Sequence, residues 1–224
     1  MSDFPVTDKN KIKRLPKRGY YDKETIYQIL DDEVICHISF SENNQPYIIP
    51  IAYVRIGDSI YIHGAKANRM MNNLGKGINA CISVTRLDAY VLAKSSFHHS
   101  MNYHSVVLFG KGEIIEEKDE KMKVLKAFSD HLIPGRWEDA RLPNEKELSA
   151  TMILKFKIDE ASAKIRTGPP SDDNQDYNLD VWAGLLKLKS QITDIIPDEE
   201  LRENVKLPDY LEKFIDNYNS KINK

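Results

Sequence analysis

Residues 95–112 read Ser95-Ser-Phe-His-His-Ser-Met-Asn-Tyr-His-Ser-Val-Val-Leu-Phe-Gly-Lys-Gly112. Three histidines, several hydroxyl side chains and an amide stand directly ahead of the apolar run Val106, Val107, Leu108, Phe109. That run has the length and branching of a buried strand. The polar residues before it are therefore either a solvated loop or a set of side chains that a rigid sheet holds towards a ligand.

Working outward, the flanking chain is rich in strand signals. Val34 to Phe40 and Tyr47 to Arg55 are dominated by β-branched and aromatic residues, and Ser41-Glu-Asn-Asn-Gln-Pro46 between them has strong turn chemistry, so they form a hairpin. Gly57-Asp58 turns the chain again into Ser59–His63, giving a three-strand meander. Runs at 78–86, 88–95 and 104–116 bring the number of strands from residue 34 to six. Six short strands with tight turns predict a small antiparallel barrel. Beyond it, 151–158 alternates as another strand and 161–166 as its neighbour.

Helical signals surround this body. Asp22 precedes Ile26, Ile29 and Leu30 at helical spacing, a short capped helix. Residues 65–74 read as a helix stopped by Gly75 and Gly77, with Lys66 and Arg69 in its first turn. Free N–H groups and two cations at a helix start suit a phosphate, while Met70, Met71 and Leu74 suit a solvated helix packed by one face, the reading the residues favour before any resemblance is considered. Met122, Leu125, Phe128 and Leu132 predict a covering helix over 119–133, and Asn144–Leu148 a short polar one. Leu211, Phe214, Ile215, Tyr218 and Ile222 form the stripe of a C-terminal packing helix. The most loop-like stretch is Thr167-Gly-Pro-Pro-Ser-Asp-Asp-Asn-Gln-Asp176. Residues 1–19 carry six Lys and Arg among polar residues and are expected as a flexible basic arm.

Composition removes several classes of function. Lys plus Arg (32) nearly balances Asp plus Glu (34), so no global field favours nucleic acid or an anionic membrane. No apolar stretch approaches the length of a membrane span, and a soluble, cytoplasmic protein is expected. Cys36 and Cys81 are isolated in apolar runs, without the pairing of a zinc or thiol-redox motif. Phosphate-loop, dinucleotide-fold and serine-hydrolase signatures are absent. A metal site is not expected, because His98 and His99 would point to opposite faces if extended and no carboxylate stands near them at ligand spacing.

Five stretches taken together resemble one family. They are Tyr-Ile-His-Gly-Ala-Lys-Ala-Asn-Arg-Met at 61–70, Phe-His-His-Ser-Met-Asn-Tyr-His-Ser at 97–105, Pro-Gly-Arg-Trp at 134–137, Glu-Ala-Ser-Ala-Lys-Ile-Arg-Thr-Gly-Pro-Pro at 160–170 and Val-Trp-Ala-Gly at 181–184. In order and spacing they resemble the FMN-binding split-barrel proteins related to pyridoxamine 5'-phosphate oxidase, in the branch that includes nitroimidazole-resistance proteins. The resemblance implies a mainly β fold with flanking helices: a six-stranded antiparallel Greek-key split barrel over residues 20–188, with 189–224 as a helical extension packed on it.

It also implies FMN, bound between the subunits of a homodimer. His63, Gly64, Ala65, Lys66, Asn68 and Arg69 would surround the phosphate and ribityl end, and Ser105 would add a hydroxyl. The backbone of Pro50, Ile51, Ala52 and Tyr53 would run along the ring, and Trp182, ahead of Gly184, would approach it. His104 stands where the branch usually has arginine, which puts one anion contact in question, since imidazole lacks the bidentate fork. The oxidase's arginine-rich end is replaced here by Ala-Gly-Leu-Leu-Lys-Leu after Trp182, against vitamin B6 oxidation. The reading is a flavin-dependent oxidoreductase acting on a small acceptor, with no catalytic residue assigned. The alternative is a non-catalytic flavin or haem binding protein.

Overall fold

The computed structural model describes residues 3–220, so Ile222 of the C-terminal stripe lies outside the described residues. The strands are β1 (Gly19–Tyr20), β2 (Ile35–Glu42), β3 (Gln45–Ala52), β4 (Val54–Ile56), β5 (Ser59–Ala65), β6 (Asn79–Leu92), β7 (Ser100–Ile115), β8 (Thr151–Lys157), β9 (Glu160–Arg166) and β10 (Gly184–Lys187). The helices are α1 (Lys23–Asp32), α2 (Arg69–Leu74), α3 (Lys118–Leu132), α4 (Arg136–Asp139), α5 (Glu145–Ala150) and α6 (Asp209–Ser220).

All strand pairings are antiparallel, in the order β3-β2-β6-β7-β8-β5-β4, with β9 and β1 branching from β7 and β10 from β6. The sheet is mainly β with flanking helices, as expected, but it does not close on itself, and β3 and β4 are its ends. No strand among the described residues pairs with the outer edge of β3, and Pro46 and Pro50 lie along that strand. Proline without an N–H is tolerated at such an edge and blocks further pairing there.

Local chemistry explains the corners. Asn43 and Asn44 both take positive φ, 51° and 63°, which gives the two-residue turn whose twist matches a β2–β3 hairpin. The Asp22 side chain caps α1 by accepting from Thr25 N at 2.8 Å. The two runs expected at 78–86 and 88–95 are one strand, β6, which shifts register between Leu87 and Ala89 where it faces β7. A charged Arg-Leu-Asp segment looks like a turn in the sequence, but a bulge keeps the ladder going through it. Likewise β7 begins at Ser100, so most of the polar stretch is strand, and Asn102 is buried within it.

One core is formed between the sheet and α1 and α2 by Ile38, Ile60, Ile62, Met71, Leu74, Ile82, Leu108, Leu154 and Phe156. Truncating a side chain as buried as Phe156 typically costs about 3–5 kcal/mol. A Cβ added at Gly112 would meet Leu74 O at 2.6 Å, so glycine there lets the end of α2 lie directly on β7. A second cluster, Val54, Tyr61, Ile115, Val124, Phe128 and Ile153, fixes α3 over the other end.

The segment expected as a flexible arm instead lies on the body. Phe4 is 3% exposed and meets Tyr27 edge-on at 5.9 Å, while Asn10 donates to Ala161 O at 3.0 Å. Its polar composition hid one apolar anchor and one buried amide, which together offset the cost of ordering it. At the other end, residues 188–208 run without helix or strand, and α6 meets the α3–α4 corner, where Tyr210 donates to Asp139 at 2.9 Å. No helix among the described residues is long and apolar enough to cross a membrane.

Candidate functional site

The segment after β5 departs from its expected form. The helix begins at Arg69, four residues later than the spacing suggests, and has only six residues. The Asn68 side chain caps it, accepting from Met70 N at 2.8 Å and Met71 N at 3.4 Å. Two donors of the first turn are therefore already engaged, and Asn68 spends its amide oxygen on the helix. What else an anion meets is charge. Lys66 is exposed, and Arg69 places its guanidinium 4.3 Å from the Tyr47 ring centre, with Nε 3.0 Å from a Glu42 oxygen.

His63 occupies a different setting on β5. It is half-buried and edge-on to Phe128, with centroids 4.5 Å apart. Its Nδ1 is buried without a hydrogen-bond partner among the described residues. Burial pushes the imidazole below its ordinary pKa, so it stands neutral at neutral pH. Other histidines have partners: His98 lies beside Asp173, and His99 meets Ala93 O, His104 meets Asp88 and His131 meets Glu33 O. Gly64 beside it packs so closely that an added Cβ would lie 3.1 Å from Met71 Cγ.

Along β3, Pro50 is exposed and Ile51 and Ala52 are half-buried, so their backbone lies at an accessible edge. Tyr53 does not. It is fully buried, its hydroxyl donates to Leu30 O at 2.6 Å and its N–H to Val34 O, which makes it a core residue. From Tyr47, under Arg69, to Ala52 is five residues of strand, roughly 17 Å. The nominated side chains are thus strung along an edge and do not converge on one cavity. Two grooves of about 610 and 630 Å³ lie elsewhere, one at His131, Phe214 and Tyr218, the other at Phe109, Lys111 and Lys157.

His104 and Ser105 sit on β7 opposite Arg86 and Thr85. His104 Nδ1 lies 2.7 Å from Asp88, whose other oxygen accepts from Arg86 Nε at 2.9 Å. Arg86 also reaches Asp32 at 3.0 Å. Where the resemblance implies arginine, this chain has an imidazole built into a carboxylate–arginine network. Ser105 donates its hydroxyl to Lys164 O at 3.1 Å. Trp182 is 63% exposed against Gly184 at the start of β10. Nearby surface residues Tyr90, Phe97, Met101 and Leu186 are also exposed.

Two groupings escape sequence reasoning. His98, Asp173 and Asp176 come together with ligand-type atoms within 4.8 Å of one another, against the expectation of no carboxylate nearby. The loop from 167 brings the acids across, pinned where Asp172 accepts from Lys94 N and Ser95 N at 2.9 Å each. All three are at or near the surface, and His98 Nε2 lies 3.6 Å from Asp173. The second grouping is Arg166 with Asn102, both buried, whose side chains are hydrogen-bonded across β9 and β7.

Comparison with known proteins agrees with this architecture. Residues 22–165 match the family model described as pyridoxamine 5'-phosphate oxidase. The flavocytochrome Anf3 from Azotobacter vinelandii is 36% identical, with 92% of this chain and 96% of that chain covered and a TM-score of 0.87. The FAD and haem binding protein from Mycobacterium smegmatis is 32% identical over 88% of this chain and 97% of its own, with a TM-score of 0.85. A 5-nitroimidazole antibiotic resistance protein from Bacteroides thetaiotaomicron VPI-5482 shares the fold at 22% identity and a TM-score of 0.56, covering 66% of this chain and 86% of its own. No functionally curated protein matches the chain by sequence. The open antiparallel sheet, the ordered motifs and a family match over residues 22–165 place this chain in the pyridoxamine 5'-phosphate oxidase family of split-barrel proteins.

Proposed function

We propose that this chain is a redox protein that binds a flavin nucleotide and a haem, as a homodimer. The observation that carries the reading is its likeness, over about nine-tenths of its length, to a flavocytochrome and to an FAD and haem binding protein. The second of those relatives favours FAD over the FMN that the motif resemblance implies.

The chain's own residues offer chemistry suited to each group. Lys66 and Arg69 would hold a flavin phosphate, and the open edge of β3 at Pro50, Ile51 and Ala52 offers backbone contacts to a flat ring. His63 is neutral, half-buried and without a partner for its buried nitrogen, the state in which imidazole serves as an iron ligand. A bound flavin supplies hydride and single-electron chemistry, and a haem single-electron chemistry. The protein's part is to orient the two groups and exclude water. The exposed apolar residues Tyr90, Met101 and Leu186, neighbours in register on β6, β7 and β10, support a second copy as the cover for this face.

Mass spectrometry of the released cofactors and light scattering of the purified protein test this reading. FAD, haem and a dimer mass are expected, and a monomer carrying neither group would overturn it. Steady-state turnover with NADH or NADPH and a small artificial acceptor separates an oxidoreductase from a protein that only stores its ligands.

A further inference from the structure

Arg166 closes β9 with only 9% of its surface exposed. Its guanidinium donates to the Asn102 side-chain oxygen, and Asn102 is held in turn by donating to Gly168 O at 3.0 Å. The less buried arginines of the body are neutralised: Arg55 by Asp31, and Arg86 by Asp32 and Asp88. Arg166 has no carboxylate within ion-pairing distance among the described residues. A neutral amide satisfies one N–H and supplies no compensating charge.

More positive charge is brought to the same place. Gly19 of β1 pairs with Lys164 of β9, which sets the turn Pro16–Arg18 beside the end of that strand. Burial and the neighbouring Arg18 both push the Arg166 guanidinium below its ordinary value. Arg18 and Lys164 also lack a carboxylate partner among the described residues. Of the basic residues in the N-terminal segment, Lys9 pairs with Glu160 at 2.8 Å. Tyr103, opposite Arg166 in register, and Ser105, opposite Lys164, line the adjoining strand with hydroxyls.

We infer that Arg166 and Arg18 form a binding subsite for an anionic oxygen group, a carboxylate of the haem or a phosphate of the flavin nucleotide, and a flavin phosphate held here would replace the assignment to Lys66 and Arg69. The inference rests on the proposed cofactors for the identity of the ligand, though the uncompensated charge stands without them. A planar guanidinium already oriented by Asn102 presents its remaining N–H groups in the fork that a phosphate or carboxylate takes up, and Arg18 adds the second charge.

Arg166→Gln tests this, because glutamine keeps a donor for Asn102 and removes the charge. If the group is a phosphate, FAD should bind the variant about tenfold or more weakly while riboflavin affinity is unchanged. If it is a carboxylate, haem should weaken by a similar factor and haem dimethyl ester should not. Arg166→Lys should recover part of the loss, and Arg18→Gln should shift the same ligand in the same direction by less. Equal affinity of wild type and Arg166→Gln for FAD and haem, or parallel loss of charged and neutral forms, would make Arg166 purely structural and overturn the subsite. If the wild type takes up neither cofactor, the proposed function fails and inorganic pyrophosphate decides the subsite alone. Thermal stabilisation of the wild type but not of Arg166→Gln would uphold it, and no stabilisation of either would refute it.

Discussion

The guanidinium of Arg69 lies over the ring of Tyr47, with 4.3 Å from Cζ to the ring centre. The contact joins the end of the β5–α2 segment to the edge strand β3, along which the flavin is proposed to lie. It also holds the cation near Glu42, whose carboxylate it meets at 3.0 Å. Asn73 steadies that carboxylate from the other side, donating at 2.7 Å.

A phosphate arriving here competes with Glu42 for Arg69. Arg69→Ala should therefore weaken FAD binding by about tenfold. Glu42→Gln should strengthen it, since the carboxylate repels the phosphate and occupies its partner. Fluorescence titration of the two variants checks both signs, and unchanged affinity in both would place the phosphate elsewhere.

Acid stability should carry a signature of the α5 capping box. Glu147 accepts from Asn144 N at 2.8 Å and from Arg141 Nη2 at 2.7 Å, and the Arg141 guanidinium beside it holds its carboxyl at about 2 against an ordinary 4.5. A folded pKa below the unfolded one means that the contribution is complete above about pH 4.5 and is lost as the pH falls through about 2. Thermal denaturation of wild type and Glu147→Gln should differ most near neutral pH and converge towards about pH 2. A constant difference across that range would contradict the assignment.

The two thiols should react unequally. Cys36 is fully buried and burial pushes its thiol up to about 12, whereas Cys81 is half-buried and raised in the same direction. Near pH 8 the Cys36 thiolate is scarcer than an ordinary one by roughly three orders of magnitude. A disulfide reagent should modify Cys81 first in the native protein and Cys36 only on unfolding. Equal rates in the native state would show that the core around Cys36 opens.

What was legible in the sequence was what short-range chemistry determines. The Asn43-Asn44 turn, the Asp22 cap and the stripe of α3 each rest on residues within a few positions of one another. The five motif stretches carried the family because their order survives any error in element boundaries. The contacts that define the site lie far apart in the chain: Asn102 with Arg166, Asn10 with Ala161, His98 with Asp173. Nothing in local spacing encodes them, which is why Arg166 does not stand out in the sequence and the N-terminal segment looks loose there. Asn68 misled for a different reason. The same residue that marks a helix start also consumes two of the donors that a free start would offer.

The visible absorption spectrum of the purified protein and of His63→Ala bears most directly on the proposed cofactors. The wild type should show the two flavin bands of the near-ultraviolet and blue together with an intense Soret band, and His63→Ala should keep the flavin bands and lose the Soret band. A colourless wild type that takes up neither added FAD nor added haem would contradict the account.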